Sequence, residues 1–338
     1  MLLGALLLAG CSTPGRSKAV AGPAPGTSPG LCTRVVNVGS NLVQLQIAVR
    51  KFVPDRGKGA AVWLTGVSHI GDSNYYATLQ KHLDAQTLVL YEGVSATAHG
   101  SGGATGAPPP DWKEPAEALP SDSRRPGLQA SMASSLGLVF QLDAIDYNRP
   151  NFRNSDLSIE QLRQILEETP APPDSASAGQ SFDSLLELMQ GGSLLDGVLQ
   201  LFMRFLGASP RLQGMSKLTL IETLGQINGD PARLRGLPPA MKQLLDVLVA
   251  RRNENVIANL KGELQKMPPR GTIAIFYGTG HMPDLEMRLR RELHYRAADE
   301  LWLTAFSVDL AQAGIPAGER EFLHSFVKRE LEQIAAGR

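Results

Sequence analysis

"AVWLTGVSHIGD" at residues 61–72 and "TIAIFYGTGHM" at residues 272–282 share one grammar: an apolar run, a glycine, two intervening residues and a histidine. Short apolar runs bounded by glycine read as buried strands. Gly66 and Gly278 then let the backbone turn sharply off each strand, and the small residues after them leave room for the imidazoles of His69 and His281 at the strand ends. Downstream of the first run, 74–83 reads as a helix with Tyr76, Leu79 and Leu83 on one side, and "TLVLYE" at 87–92 is a second buried run. Strand, helix and strand make a parallel unit, so the His69 loop and Glu92 are expected at the same carboxyl edge of a sheet. The second copy continues through a helical "LEMRLRRELHYR" into a strand-like "ELWLTAFSVDL".

The 338 residues allow one large domain or two ordinary ones, and 43% hydrophobic content can build a sizeable core. The 33 basic and 33 acidic side chains cancel, and no basic run suggests nucleic acid as a partner. The opening "MLLGALLLAGC" is too short to span a bilayer and reads as the end of a lipoprotein signal, with Leu8, Ala9 and Gly10 before a lipidated Cys11. A Pro, Gly and Ser-rich tether over 12–34 follows. Cys32 is the only other cysteine, so a mature chain lipidated at Cys11 has no internal disulfide.

Residues 97–128 read as a surface excursion and 169–180 as a hinge between helices. Leu194, Leu195, Val198, Leu199, Leu201, Phe202, Phe205 and Leu206 recur at helical spacing, as core packing or as a lid. Further on, 240–266 reads as a long helix with Leu245, Leu248, Val249, Val256 and Leu260 on one stripe. Arg252 falls inside that stripe, and a charge on a core-facing stripe needs a partner: Glu92, a substrate carboxylate or an oxyanion, with Asn253 beside it as a hydrogen-bonding group. The competing reading packs the arginine stem and sends its head to water.

"GVSHIGDSNYY", "VLYEGV", "ARRNEN" and "FYGTGHM", in this order, resemble the TraB/GumN/Tiki superfamily, whose architecture is shared with erythromycin esterase and ChaN-like proteins. The stretch "FQLDAIDYNRPNFRNSDLS" at 140–158 is also similar to a segment of its bacterial members. The resemblance covers about 60–95 and 240–310, and it implies a metal-dependent hydrolase site, peptidase-like in the Tiki members, built from both GxxH histidines, an acidic residue and an arginine. The family's Arg-Asn or Arg-Asp pair before the second GxxH corresponds to Arg252 and Asn253.

Chemistry agrees in kind. His69, His281 and Glu92 form a two-imidazole, one-carboxylate set suited to a divalent ion of the Zn, Mn or Co class, with positions left for water and substrate. Glu92 is a candidate ligand and a candidate base, and the competing reading is a pair of structural turns that end in histidine. Asp146, Tyr147 and Arg149 form a second tier at the end of "AIDYNRP", while His82, His99, His294 and His324 read as helix surface or low-complexity sequence without a role.

The expected architecture is an α/β fold with a mixed sheet: two related strand-GxxH-helix-strand halves over 35–315, a helical insertion at about 155–265, and a C-terminal helix over 316–338. The expected function is metal-dependent hydrolysis of a peptide, or of another small substrate, at the bacterial envelope. Two rivals remain, a haem- or metal-binding lipoprotein and a non-catalytic peptide-sequestering protein. Ser12 gives no inner-membrane retention signal of the aspartate kind, so an outer-membrane or cell-surface anchor facing the periplasm is expected. Cys11→Ser should move the protein from the membrane fraction to the soluble fraction; a variant that stays membrane-bound through washing contradicts the lipid anchor.

Overall fold

The computed structural model describes residues 30–93, 128–168, 207, 209–226 and 239–336. Cys11, His99, most of the 97–128 excursion, the 169–180 hinge and the apolar stripe at 194–206 lie outside these residues. Among the described residues, no helix is long and apolar enough to cross a membrane.

The chain is an α/β protein. It opens with β1 (Thr33–Val38), β2 (Leu42–Pro54) and β3 (Ala61–Val67), followed by a short β4 (Ile70–Gly71), α1 (Ser73–Asp84) and β5 (Leu88–Tyr91). Next come α2 (Leu128–Ser135), β6 (Val139–Phe140), α3 (Gln141–Ala144), β7 (Phe152–Asn154) and α4 (Ile159–Glu168). The remainder comprises α5 (Pro210–Gln226), α6 (Pro239–Leu245), a π-helical turn (Asp246–Arg251), α7 (Arg252–Lys266), β8 (Thr272–Gly278), a 3-10 turn (Thr279–His281), α8 (Met282–Glu292), β9 (Tyr295–Asp309) and α9 (Ala317–Ala336). β1 begins inside the range expected to be tether, and Thr33 Oγ1 donates to the Leu224 carbonyl at 2.7 Å.

The main sheet has β9 along one edge of β2, with β1 and β3 sharing the other edge, and then β8, β5 and β7 in order. β3, β8, β5 and β7 are mutually parallel, whereas β2 is antiparallel to β1, β3 and β9. β3 and β5 are therefore not neighbours, as a simple strand-helix-strand pair would make them, because β8 lies between them. The physical reason is burial. Every residue of β8 from Ile273 to Gly278 is buried, and such a strand takes the centre of a sheet covered on both sides.

Two apolar clusters mark those two sides. One contains Val67, Tyr75, Tyr76, Leu79, Leu83, Val89, Ala274 and Phe276; the other contains Val62, Leu64, Leu90, Ile275, Tyr277, Leu285 and Leu289. Alternation along each strand sends successive side chains to opposite clusters. α1 thus crosses from β3 to β5 over the first face, and α8 crosses from β8 to β9 over the second face, in the opposite direction. Adjacent strands whose crossovers leave in opposite directions create a crevice at their carboxyl ends, the usual ligand position in open α/β sheets. Here the two strands are β3 and β8.

The region expected to be one helical insertion contributes to both layers: Leu218 and Ile221 of α5 join the first cluster, and Val256, Ile257 and Leu260 of α7 join the second. The π turn shifts the stripe before α7, so that Leu244, Val247 and Val249 are buried while Leu245 and Leu248 are half-buried. A straight helix would keep one phase throughout; the widened turn changes the phase of the face.

His82 is a correction. It is not on the open helix surface but packs edge-on against Trp63, with ring centroids 4.9 Å apart, and burial lowers its pKa from 6.5 to about 4. His294 sits in a turn after α8 at φ 55°, not within the helix. Because folding lowers the His82 pKa, the unfolded chain binds a proton below pH 6.5 that the folded chain refuses until about pH 4. Stability should therefore decline between those values, and urea midpoints for His82→Gln should show a shallower decline than the parent over the same interval.

Candidate functional site

The parallel register pairs Gly66 with Tyr277 and Val67 with Gly278, so both histidine loops leave the sheet side by side. β5 pairs Tyr91 with Phe276 on the other edge of β8, which brings Glu92 to the same end. The Glu92 backbone N–H donates to the Phe276 carbonyl at 3.0 Å, and its Oε2 accepts the Gly278 N–H at 2.6 Å. A Cβ added at Gly278 would sit 3.3 Å from Glu92 Oε2 and 3.5 Å from His69 Nε2, so glycine keeps that ground open between the two side chains. His281 Nε2 lies 3.6 Å from Glu92 Oε1. The three residues singled out from the sequence are brought to one place.

Each imidazole is held by a side-chain amide. His69 Nδ1 is 2.9 Å from Gln141 Oε1, and Gln141 Nε2 donates to Tyr147 Oη at 2.7 Å. His281 Nδ1 is 2.8 Å from Asn253 Oδ1, while Asn253 Nδ2 donates to Asp284 Oδ2 at 2.9 Å and to the His281 carbonyl at 3.2 Å. In both amides the NH2 has an acceptor, which leaves the carbonyl oxygen for the ring N–H. In its neutral form an imidazole whose Nδ1 faces such an oxygen carries hydrogen on Nδ1 and keeps a lone pair on Nε2. The His69 loop has its own clamp: Tyr76 Oη donates to the Ser68 carbonyl at 2.8 Å, and Tyr75 Oη accepts the Ser68 N–H at 3.3 Å.

Arg252 is buried, as its place in the stripe requires, and it does not reach to water. Its Nη2 donates to Glu92 Oε1 at 2.7 Å and to Asp156 Oδ2 at 2.5 Å, its Nε donates to Asp156 Oδ1 at 2.8 Å, and its Nη1 donates to the Leu248 carbonyl at 3.2 Å. Of the partners expected for it, Glu92 is the one found. The arginine is engaged from within the protein, and Asn253 is fully buried, so both act on Glu92 and His281 from behind. Burial raises the Glu92 pKa, but the Arg252 guanidinium outweighs it, and the carboxyl is held well below the usual carboxylate range. Glu92 is therefore an anion at neutral pH.

The second tier divides. Tyr147 enters the site region through Gln141, whereas Asp146 and Arg149 pair with each other at 3.2 Å on the surface, where Arg149 also meets Asp84 at 3.4 Å. Sequence reasoning missed Asp156, Gln141 and Asp284. Asp156 sits in "NSDLSIEQ", where Ser158 and Gln161 exchange the reciprocal bonds of a capping box, so its local pattern reads as turn chemistry. Nothing local marks Gln141. Asp284 occupies the first turn of α8, where an acidic residue is ordinary helix chemistry.

The donor set fits a divalent ion in kind, with two imidazole nitrogens and an anionic oxygen at one end of the sheet. Among the described residues, no three His, Cys, Asp or Glu side chains already stand close enough together to hold one. Comparison with models of known families, with curated proteins and with solved structures finds no match to this chain.

Removing Arg252 would leave the Glu92 and Asp156 carboxylates facing each other without a counter-charge. Arg252→Ala should cost about 3–5 kcal/mol in urea unfolding, the usual scale for breaking a buried pair. Arg252→Lys restores the charge but not the fork that grips both carboxylates, and should recover only part of the loss. Parental stability in either variant contradicts the buried triad.

Proposed function

We propose that this chain is a metal-dependent hydrolase of the bacterial envelope, tethered through Cys11 and acting on peptide bonds. The observation that carries the reading is the matched pair of imidazoles: each has Nδ1 facing an amide oxygen, while His281 Nε2 lies 3.6 Å from Glu92 Oε1 and His69 Nε2 borders the same open ground at Gly278. Two histidines serving only as turn residues would not need their outer nitrogens fixed alike. The resemblance to the TraB/GumN/Tiki superfamily supports the same reading from the sequence side.

A divalent ion held through Nε2 of His69 and His281, with Glu92 as its anionic neighbour, would supply Lewis acidity toward a substrate carbonyl and lower the pKa of a water. The chain's own groups have separable tasks. His69 is exposed and is the imidazole a substrate meets first, while His281 is buried at 6% exposure and forms the floor of the site. Arg252 holds the Glu92 pKa below the usual carboxylate range, which makes it a weaker proton acceptor than an ordinary carboxylate and favours a role as fixed negative charge or ligand over that of general base. Arg252 positions Glu92 and, with its hydrogen bonds directed to Glu92, Asp156 and Leu248, does not bind the substrate itself.

If the two loops serve one site, His69→Ala or His281→Ala should each remove most of the stoichiometric zinc, manganese or cobalt taken up by the purified protein. The double variant should lose little more, because residues acting as a unit are non-additive. Glu92→Gln should weaken metal uptake along with peptide hydrolysis, read by mass spectrometry on a peptide mixture. Folded single-histidine variants that keep full metal occupancy contradict the reading.

A further inference from the structure

Asp284 is a buried carboxylate, 6% exposed, that the proposed chemistry leaves without a task. Its Oδ2 accepts hydrogen bonds from Asn253 Nδ2 at 2.9 Å and from Arg288 Nε at 2.6 Å. Asn253 is fully buried, and its amide has two nearly isosteric ends. The NH2 end faces Asp284 and, at 3.2 Å, the His281 carbonyl, and the other end faces His281 Nδ1 at 2.8 Å. Turning the amide over would place its carbonyl oxygen against the Asp284 carboxylate and its NH2 against the imidazole. The first contact is repulsive, and the second admits only the imidazole that carries its hydrogen on Nε2. That tautomer has no lone pair on the nitrogen facing Glu92, and the Glu92 carboxylate 3.6 Å away would accept its Nε2–H, so the Asn253 amide has to work against that pull.

We propose that Asp284 is a positioning residue that selects, through the Asn253 amide, the Nδ1–H tautomer of His281 and so keeps its Nε2 free for a ligand. Arg288 has a supporting part. Its guanidinium balances the Asp284 charge and holds the carboxylate in place, with Glu254 at 3.5 Å and Glu292 at 3.4 Å around it. The arrangement matches the general practice of fixing a metal-binding imidazole through its other nitrogen, with an amide interposed between carboxylate and ring. His69 is fixed by a separate chain through Gln141 and Tyr147, so the two imidazoles can be perturbed independently. The inference rests on the hydrolase reading only in making Nε2 the working atom; the tautomer itself belongs to the chain.

The experiment uses the full chain, stripped of metal and labelled with 15N-histidine, at about pH 8, where imidazoles of ordinary pKa are neutral. Long-range 1H–15N correlation spectra distinguish the two tautomers of each ring. The parent should show His281 unprotonated at Nε2. Asp284→Ala should bring a resolvable fraction of Nε2–H at His281 while the His69 signals stay unchanged, and zinc affinity should fall about 10–100-fold, the scale seen for partners of metal-binding histidines. Asp284→Asn, which can still offer an oxygen to Asn253, should retain the parental tautomer. If Asp284→Ala does not fold, Asp284→Ser, polar but too short to reach Asn253, carries the same expectation. An unchanged His281 tautomer in a folded alanine or serine variant overturns the proposal. A tautomer that shifts in a chain that takes up no zinc supports the positioning role and sinks the hydrolase reading; a tautomer that stays fixed in a chain that binds zinc does the reverse.

Discussion

The parallel pairing of β3 with β8 is the constraint on which the rest of this structure depends. Val67 opposite Gly278 sets both histidine loops at one level of one edge, and a shift of a single residue would turn every β8 side chain to the opposite face. That register is protected by two-sided burial. Ile273, Ile275 and Tyr277 are committed to one apolar cluster, and Ala274 and Phe276 to the other. With α1 and α8 leaving over opposite faces, the crevice between the loops follows from topology before any side chain is considered.

Into that crevice the chain places charge that it cannot leave unbalanced. Glu92 and Asp156 share Arg252, and the side chains of Arg252 and Asp156 are buried almost completely. Such a cluster is seldom favourable as a source of stability alone, since desolvation offsets most of the attraction. Its effect is positional. Glu92 is gripped on one oxygen by Arg252 and on the other by the Gly278 N–H, so the carboxylate is tied at once to α7 and to the strand end that leads to His281. The π turn before Arg252 belongs to the same design: it re-phases the helix so that α7 presents Arg252 and Asn253 together at the site.

Much of this was legible in the sequence because it is written in local patterns. Apolar runs ending in glycine located β3 and β8, α1 appeared where Tyr76, Leu79 and Leu83 recur, and the position of Arg252 within an apolar stripe announced a buried partner. What was not legible depends on distance along the chain. The placing of β8 between β3 and β5 is a competition among strands for the centre of the sheet, decided by the sum of burial on two faces. The π turn arises from how α6 and α7 must each meet different neighbours, which a uniform helical period cannot reveal. Asp156, Gln141 and Asp284 carry ordinary local signatures, and their contacts with Arg252, His69 and Asn253 arise only in the folded chain.

The central claim is that two loops more than two hundred residues apart form a single metal site. Anomalous diffraction from crystals of the protein soaked in zinc, recorded on both sides of the zinc absorption edge, tests it most directly. The account predicts one strong peak within about 2.0–2.1 Å of Nε2 of both His69 and His281, the ordinary zinc–imidazole distance, with Glu92 beside it. A peak bound elsewhere, or none near either Nε2 at saturating zinc, would contradict it.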